Sequence, residues 1–355
     1  MQRRARLAPA VFSLLGSMAG LAGAAPLDAL LDVSDAPAGA GTRWSVEAVG
    51  DVTQPVFDLV GVDRQAGRTD SVRFGLVAGP WSFTLGGHQR AIHNKSDDYQ
   101  VQSWHTAAQF EPGRAFGGAT VGSPWRWALR LSAWGNRADH LVQSSNAVLK
   151  VSGLKARLVE MELVQPRDLQ LQFDLVGRYA MPVSRWTLSG FAGAGTSEVT
   201  RSVVSGKATI SGCTYQLQFG DTRLNALPLA DCPQALIVSV PNKLLQVDVL
   251  QETRYRSIYG HAGGALHWQD AHWRLALGGE LQQWQRNGLN ELRTRNAILV
   301  AEADRTLTPS VSAVLRGQYQ HRQLLGEVPM LFNARATSSA SRHVGLVTVG
   351  LLARF

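Results

Sequence analysis

Residues 125–133 read Trp-Arg-Trp-Ala-Leu-Arg-Leu-Ser-Ala, and this stretch decides the fold. Every second residue is apolar, and the residues between them are arginine, alanine, arginine and serine. A period of two is that of a β-strand, whose successive side chains point to opposite faces. Residues 169–179, 273–277 and 311–319 repeat the pattern. We therefore predict an all-β chain from about residue 43 onward.

In ten segments, alternate residues can be assigned in this way to an apolar face and an intervening face. The apolar faces carry no charge. The segments are 72–78, 81–87, 125–133, 169–179, 186–194, 258–268, 273–281, 297–303, 311–319 and 345–355. None of their 50 apolar-face positions is Asp, Glu, Lys or Arg, whereas the 40 positions between them hold ten such residues. A soluble sandwich also alternates, but its outer faces would be mostly polar, and here charge is mixed with Gly, Ala and Val. The contrast favours a transmembrane antiparallel up-and-down β-barrel, with lipid outside and a polar lumen inside.

Composition excludes other classes of protein. The chain has 355 residues, of which 45% are hydrophobic and 17% are charged, and this is too apolar for a disordered chain. Beyond residue 27, the longest stretch without Asp, Glu, Lys or Arg is residues 74–89. A membrane-spanning helix needs about 20 apolar residues, so a helical membrane protein is excluded. The net charge of +8 comes with no basic run or nucleic-acid motif, and no nucleic-acid partner is expected.

The first 24 residues have the build of a cleaved export signal. Arginines 3, 4 and 6 precede the apolar run 7–21, and Ala22-Gly23-Ala24 forms an A-x-A cleavage site. Removal of the three arginines lowers the net charge from +8 to +5. Residues 25–41 are then a short periplasmic segment, and residues 42–355 form the barrel.

The chain ends in an alternating strand, residues 343–355, whose last residue is phenylalanine. Its apolar face includes Val347, Val349, Leu351 and Phe355. This end resembles the C-terminal signal of Gram-negative outer-membrane β-barrels, which the assembly machinery reads. The resemblance implies a location in the cell outer membrane. It also implies outer-membrane lipid, lipopolysaccharide and the barrel assembly machinery as partners.

Outer-membrane barrels start and end in the periplasm and have an even number of strands. We predict twelve, near 42–52, 69–79, 81–91, 99–110, 124–136, 168–180, 184–198, 250–268, 271–286, 291–304, 310–323 and 342–355. The long outer loops are then residues 137–167 and 199–249, and 305–309 is one of the short inner connections. Residues 153–165 are treated as a hairpin within the first loop. If they formed a spanning strand, a partner from 199–249 would make fourteen strands, which is the alternative.

Aromatic residues mark one end of the predicted strands. Nine of them fall at strand ends on the periplasmic side: Trp44, Trp81, Phe110, Trp125, Tyr179, Trp186, Trp268, Trp273 and Phe355. Aromatic rings prefer the membrane interface, and barrels carry aromatic girdles there.

The two cysteines, Cys213 and Cys232, lie in the longest outer loop, and in an exported protein they predict a disulfide.

The predicted lumen face holds seven arginines and three acids. The candidate lumen residues are Arg126, Arg130, Arg178, Arg274, Arg316, Asp174, Glu280 and Glu302. Rings of arginine bias a pore toward negative solutes. Our first hypothesis is therefore a passive channel or transporter-type pore with a basic, anion-favouring lumen and small anionic solutes as partners. The same groups could instead pair across the interior and plug it. No cofactor or metal site is indicated.

Two other functions stay open. The second hypothesis is a closed barrel whose outer loops bind a partner or envelope glycan, or which serves surface export or assembly. The third is an outer-membrane acyl hydrolase. The possible nucleophile groups are His140, Ser144, Ser145 and Asn146 in one outer loop, and His88, His93 and Ser96 near the third strand. Neither matches the His-x-Ser arrangement of outer-membrane phospholipases, so we expect no enzyme. Tyr259, His261 and His267 are expected to be hydrogen-bonded polar residues of the lumen.

Overall fold

The computed structural model describes residues 42–52, 67–93, 98–116, 123–144, 148–151, 154–200, 203–229, 237–242, 254–286, 293–322 and 342–355. In these ranges the chain forms eighteen β-strands and one short helix, α1 (Pro112–Ala115), all numbered in chain order. No helix within the described ranges is long and apolar enough to cross a membrane. The predicted export signal and the segment 25–41 lie outside the described residues.

Twelve of the strands form a closed antiparallel barrel. They are β1 (Arg43–Asp51), β2 (Gly67–Ala78), β3 (Trp81–His93), β4 (Asp98–Phe110), β5 (Trp125–Ser144), β8 (Arg167–Ala180), β9 (Trp186–Thr200), β14 (Arg254–Gln269), β15 (Trp273–Arg286), β16 (Arg293–Thr308), β17 (Val311–Arg322) and β18 (Arg342–Arg354). Each pairs with the next, and β18 pairs with β1. The predicted twelve-strand barrel is confirmed, and most strand ends fall within two residues of their predicted positions.

The other six described strands form an outer sheet above the barrel. They are β6 (Val148–Val151), β7 (Leu154–Val164), β10 (Val203–Ile210), β11 (Cys213–Phe219), β12 (Arg223–Pro228) and β13 (Val238–Pro241). β7 pairs with β6, with β10 and with the outer end of β5. The fourteen-strand alternative is wrong, because β5 pairs directly with β8 in the barrel wall and leaves no place for β7. The described parts of the predicted loops 137–167 and 199–249 are therefore largely β-structure.

The two faces of the barrel differ in the way that the strand period predicts. In β8 the outward residues are 49–55% exposed, and they are Leu169, Leu171, Phe173 and Leu175. The inward residues between them are at most 5% exposed, and they are Gln170, Gln172 and Asp174. A continuous belt of exposed leucine and phenylalanine is unfavourable in water and favourable in lipid. The chain is a bacterial outer-membrane β-barrel.

One rim of the barrel has short turns and is lined with aromatic rings. Trp81 lies against Phe110 with ring centroids 4.7 Å apart and an angle of 39° between the ring planes, and the ring of Trp125 lies 4.5 Å from that of Tyr179. Short turns mark the periplasmic end of such barrels. The β16–β17 turn is at residues 309–310, so the predicted connection 305–309 is wrong in its bounds, because β16 continues to Thr308.

The β14–β15 turn at this rim is held by a carboxylate. The backbone N–H groups of His272 and Trp273 donate to Asp270 Oδ1 at 2.7 and 2.6 Å. These two hydrogen bonds favour the charged form and hold the pKa of the Asp270 carboxyl below its usual value. An aspartate that binds its own following backbone in this way fixes a tight turn.

Candidate functional site in the barrel lumen

The lumen wall carries charges of both signs. The seven arginines predicted for the lumen are Arg73, Arg126, Arg130, Arg178, Arg274, Arg316 and Arg354. By strand parity they share their face with seven described carboxylates, Glu47, Asp51, Asp168, Asp174, Glu280, Glu302 and Asp304. Only Asp174, Glu280 and Glu302 were predicted. The predicted arginines thus share their face with acids, and the anion-favouring lumen stays a prediction.

The first cluster, the β8–β14 network, is centred on His261. Its imidazole lies between two carboxylates, with Nε2 2.7 Å from Asp174 Oδ1 and Nδ1 2.9 Å from Glu280 Oε1. Arg130 Nε donates to Asp174 Oδ2 at 2.9 Å. These four side chains alternate in sign, and all are almost fully buried. Buried charges need such partners, because each one left alone carries a large desolvation cost.

A glycine on β9 makes this network possible. β9 separates β8 from β14, so the Asp174–His261 contact passes over the strand between them. At the crossing stands Gly193, where an added Cβ would collide with the Asp174 carboxylate. Gly193 is therefore required by a close approach of side chains, which is a common reason for glycine within a strand.

Aromatic and amide groups complete the β8–β14 network. The Tyr259 hydroxyl donates to Gln172 Oε1 at 3.0 Å, and Gln172 Nε2 donates to both Asp174 oxygens at 2.9–3.0 Å. The Tyr259 ring stacks on Trp284 with centroids 4.1 Å apart. The phenol and indole thus pack beside the charged cluster, and Gln172 links the Tyr259 hydroxyl to the Asp174 carboxylate.

The second cluster, the β1–β17 network, consists of arginines and carboxylates. Arg316 contacts both Glu47 at 3.0 Å and Glu302 at 2.6 Å. Arg73 extends the network with a 2.8 Å contact to Glu47. At the other end, Arg274 lies 3.2 Å from Glu302. Each of these two glutamates contacts two arginines, so the cluster links β2, β1, β17, β16 and β15.

Four of the lumen arginines lie near the periplasmic opening. Arg126 and Arg178 are directly opposite each other in the β5–β8 register. Arg274 is the second residue of β15, and Arg354 is the last residue of β18. Their contacts include Asp304, which lies 3.1 Å from Arg274 and 3.7 Å from Arg354. The Arg354 side chain is 45% exposed, compared with 3% for that of Arg130 deeper in the barrel, so the lumen face is more accessible at this opening than at Arg130.

The other predicted residues fall in several places. Val349 and Leu351 face outward, and Phe355 exchanges two backbone hydrogen bonds with Trp44 at the closure of the barrel. The assembly role of this strand stays a prediction.

Cys213 begins β11, whereas Cys232 lies outside the described residues, so the disulfide also stays a prediction.

The candidate nucleophile groups are dispersed. His140 lies 3.3 Å from Glu162 of β7, and Ser144 ends β5. Ser96, Ser145 and Asn146 lie outside the described residues, while His93 ends β3. His88 faces the lumen and is buried. In the lumen, the Ser189 hydroxyl lies 3.0 Å from His267 Nε2 and also donates to the Ala265 carbonyl. The absence of enzyme activity stays a prediction.

Sequence reasoning missed Glu47, Asp51, Asp168 and Asp304 as lumen residues. Glu47 and Asp51 lie in β1, whose faces were not assigned. Asp168 and Asp304 each lie one residue beyond the end of an assigned segment, so a continuation of the same alternation by one residue would have found these two. Asp168 accepts hydrogen bonds from Asn136 at 3.3 Å and from Gln170 and Ser197. It is therefore the centre of a third, smaller polar cluster.

Comparisons with known proteins return barrels at low similarity. No family model matches the chain, and no curated protein matches it. The translocator domain of the autotransporter NalP from Neisseria meningitidis matches with a TM-score of 0.45 and 14% identity, over 98% of this chain and 96% of that one. The β-domain of the Bordetella autotransporter BrkA gives 0.40 and 10%, over 88% and 98%. The CymD monoaromatic hydrocarbon channel gives 0.39 and 8%, over 96% and 95%. Similarities of this size identify no activity.

Proposed function

We propose that the barrel is a passive channel or transporter-type pore for small anionic solutes. The observation that carries the proposal is the uneven charge along the lumen. Arg126, Arg178, Arg274 and Arg354 lie near the periplasmic opening, whereas most of the carboxylates lie higher in the barrel. Fixed guanidinium groups at a pore mouth raise the local concentration of anions. The anion preference would therefore be set at this mouth.

The direction of the ion pairs also supports a pore. Each contact described above links strands that are adjacent or next but one, as in Arg130–Asp174 and Arg316–Glu47. Opposite walls of a twelve-strand barrel are roughly 24 Å apart, for strands about 4.8 Å apart and tilted by about 40°. These pairs therefore run along the wall and do not cross the lumen.

Conductance in planar bilayers tests the proposal. We expect the purified full chain to give ohmic current, with a reversal potential in a KCl gradient that shows anion preference. The double variant Arg126→Glu/Arg178→Glu replaces two positive charges at the mouth and should shift the preference toward cations. An unshifted reversal potential would contradict the proposed role of the mouth.

A matched control keeps the same charge change at the same rim. Arg185 lies in the β8–β9 turn, and Arg305 faces outward over the ring of Trp273, with 5.5 Å from guanidinium to ring centroid. Arg185→Glu/Arg305→Glu should leave the reversal potential unchanged. An equal shift in this control would mean that surface charge, and not the lumen, governs the current.

The second candidate is a closed barrel that acts through its outer sheet. It is favoured by the burial of the β8–β14 network, in which Asp174 is 0% and His261 6% exposed. A closed barrel would be silent in bilayers, and loss of the network in Asp174→Ala/His261→Ala would then admit current. Steady current from the unmodified chain would rule this candidate out.

A further inference from the structure

We propose that the outer rim of β5, β8, β9 and β14 binds the phosphate groups of an outer-leaflet glycolipid. The binding groups are four arginines with one glutamate between them, here called the arginine rim: Arg137, Arg167, Glu198, Arg254 and Arg256. This site is on the outside of the barrel, and it is independent of what passes through the lumen.

The arginine rim lies at a constant height above the periplasmic aromatic rings. Three of its arginines stand twelve positions along their strands from such a ring, in the pairs Trp125 with Arg137, Tyr179 with Arg167 and Trp268 with Arg256. Glu198 stands at the same spacing from Trp186. Twelve residues of a tilted strand rise roughly 30 Å, which is about the thickness of the hydrocarbon core.

The outward positions between the two rims contain no charge. On β5 they are Trp127, Leu129, Leu131, Ala133 and Gly135, and the same five intervals on β8, β9 and β14 hold only Leu, Phe, Ile, Ala, Gly and Thr. Counted from the periplasmic rings, the first charged side chain on the outward face of each of these four strands is therefore a member of the arginine rim. It projects at the level where the headgroups of the outer leaflet begin.

Two of the arginines face each other without a neutralising partner in the described part of the chain. Arg137 and Arg167 are register partners on β5 and β8, and both are exposed. Arg137 donates to the Gln102 side-chain carbonyl at 2.9 and 2.7 Å, which satisfies donors but adds no negative charge. Like charges directly opposite each other destabilise a strand pair. A phosphate between them would replace this repulsion with charge-assisted, bidentate hydrogen bonds.

The neighbouring strands also carry a surplus of positive charge. Arg254 donates to Glu198 Oε1 at 2.8 and 2.5 Å, and Arg256 donates to Glu198 Oε2 at 3.0 Å. One carboxylate thus serves two guanidinium groups, and the rim has four positive charges against one negative charge. Asp139 lies two positions further out than Arg137. Basic clusters at a membrane surface attract anionic headgroups, and arginine matches the shape of a phosphate.

Native mass spectrometry of the detergent-solubilised full chain tests the proposal. Micelles are supplemented with lipid A, a bis-phosphorylated glucosamine lipid, or with the same lipid after removal of its phosphates. We expect retention of the phosphorylated form, and at least tenfold weaker retention by Arg137→Gln/Arg167→Gln, which corresponds to about 1.4 kcal/mol of binding free energy, since the charge-assisted hydrogen bonds of both guanidinium groups are lost. The conservative variant Arg137→Lys/Arg167→Lys should lie between, because lysine keeps the charge but loses the bidentate geometry.

Lys155→Gln/Arg157→Gln is the matched control, since it removes two exposed positive charges from β7 of the outer sheet. It should retain the lipid as the parent does. Equal retention of the dephosphorylated lipid would overturn the proposal, as would an equal loss in this control. Displacement of the lipid by millimolar inorganic phosphate would overturn the assignment to a lipid headgroup. Each variant is checked for folding by the mobility shift of unboiled samples in gel electrophoresis.

Discussion

The β5–β8 strand pair carries two facing pairs of arginines, one near each membrane surface. Arg126 and Arg178 lie opposite each other at the periplasmic end, and Arg137 and Arg167 lie opposite each other at the outer end. The first pair has the parity of the lumen, and the second has the parity of the lipid face. Composition does not distinguish them, yet we assign one pair to a solute path and the other to a lipid headgroup.

The difference shows that strand parity decides the surroundings of a charge in this barrel. Between the two pairs, the inward residues of β5 and β8 include the buried Arg130–Asp174 ion pair, and the outward residues are apolar. On these two strands, the inward Arg130 contacts a carboxylate of the neighbouring strand. Their outward charges occur only where the hydrocarbon ends. Each face can be tested at positions between the two arginine pairs.

The largest effect is expected at the inward ion pair. In the parent chain, Arg130 and His261 both contact the Asp174 carboxylate. Asp174→Ala removes this carboxylate and leaves the two side chains buried without it. Removal of one partner from a buried ion pair costs about 3–5 kcal/mol, so the free energy of unfolding should fall by about that amount. The midpoint of urea unfolding in lipid vesicles, with its slope, measures the loss.

A conservative substitution at the same position sharpens this test. Asp174→Asn keeps the side-chain volume and an acceptor for Arg130, and it should cost less than Asp174→Ala. Equal and small losses for both variants would show that the lumen around Asp174 is wet, in conflict with its 0% exposure.

A smaller and graded effect is expected on the outward face of β8. Phe173 lies six positions from Tyr179 and six from Arg167, at the middle of the apolar belt. Arginine on the lipid face costs about 2–4 kcal/mol at the bilayer midplane and about 0–1 kcal/mol near an interface. Phe173→Arg should therefore destabilise the barrel in vesicles by the larger amount, and Leu169→Arg by the smaller one. Urea unfolding of the two variants under one set of conditions measures the ratio, and equal losses would contradict the assigned depth.

Much of the fold could be predicted from the sequence, because residues that face lipid and residues that face the lumen alternate along each strand of a membrane barrel. The strands follow from that period, their number from the even count of outer-membrane barrels, and the periplasmic aromatic rim from the residue types at the strand ends. The outer sheet did not follow, since β10 to β13 are short strands that pair with one another above the membrane and need no lipid-facing side. Residues 199–249 therefore read as a loop.

The lumen contacts could be predicted only in part. The period of two gives the face of a residue, but the register between strands gives its partner. The Asp174–His261 contact depends on the register of three strands and on the space over Gly193. Arg137 and Arg167 were missed because the predicted strands ended at residues 136 and 168, one position short of them. Glu198, Arg254 and Arg256 lie in predicted strands but outside the segments 186–194 and 258–268 whose faces were assigned. The twelve-position spacing from the aromatic rim is the signal that would have extended them.

The central claim is that the apolar face of each strand touches hydrocarbon and the polar face encloses the lumen. Single cysteines at Leu169, Gln170, Leu171, Gln172, Phe173 and Leu175 of β8, each labelled with a small fluorophore in vesicles of brominated lipid, test it directly. The parent chain, with Cys213 and Cys232, provides the background. We predict strong quenching at the four odd-numbered positions and weak quenching at the two even-numbered ones. Uniform quenching, or the opposite alternation, would contradict the account.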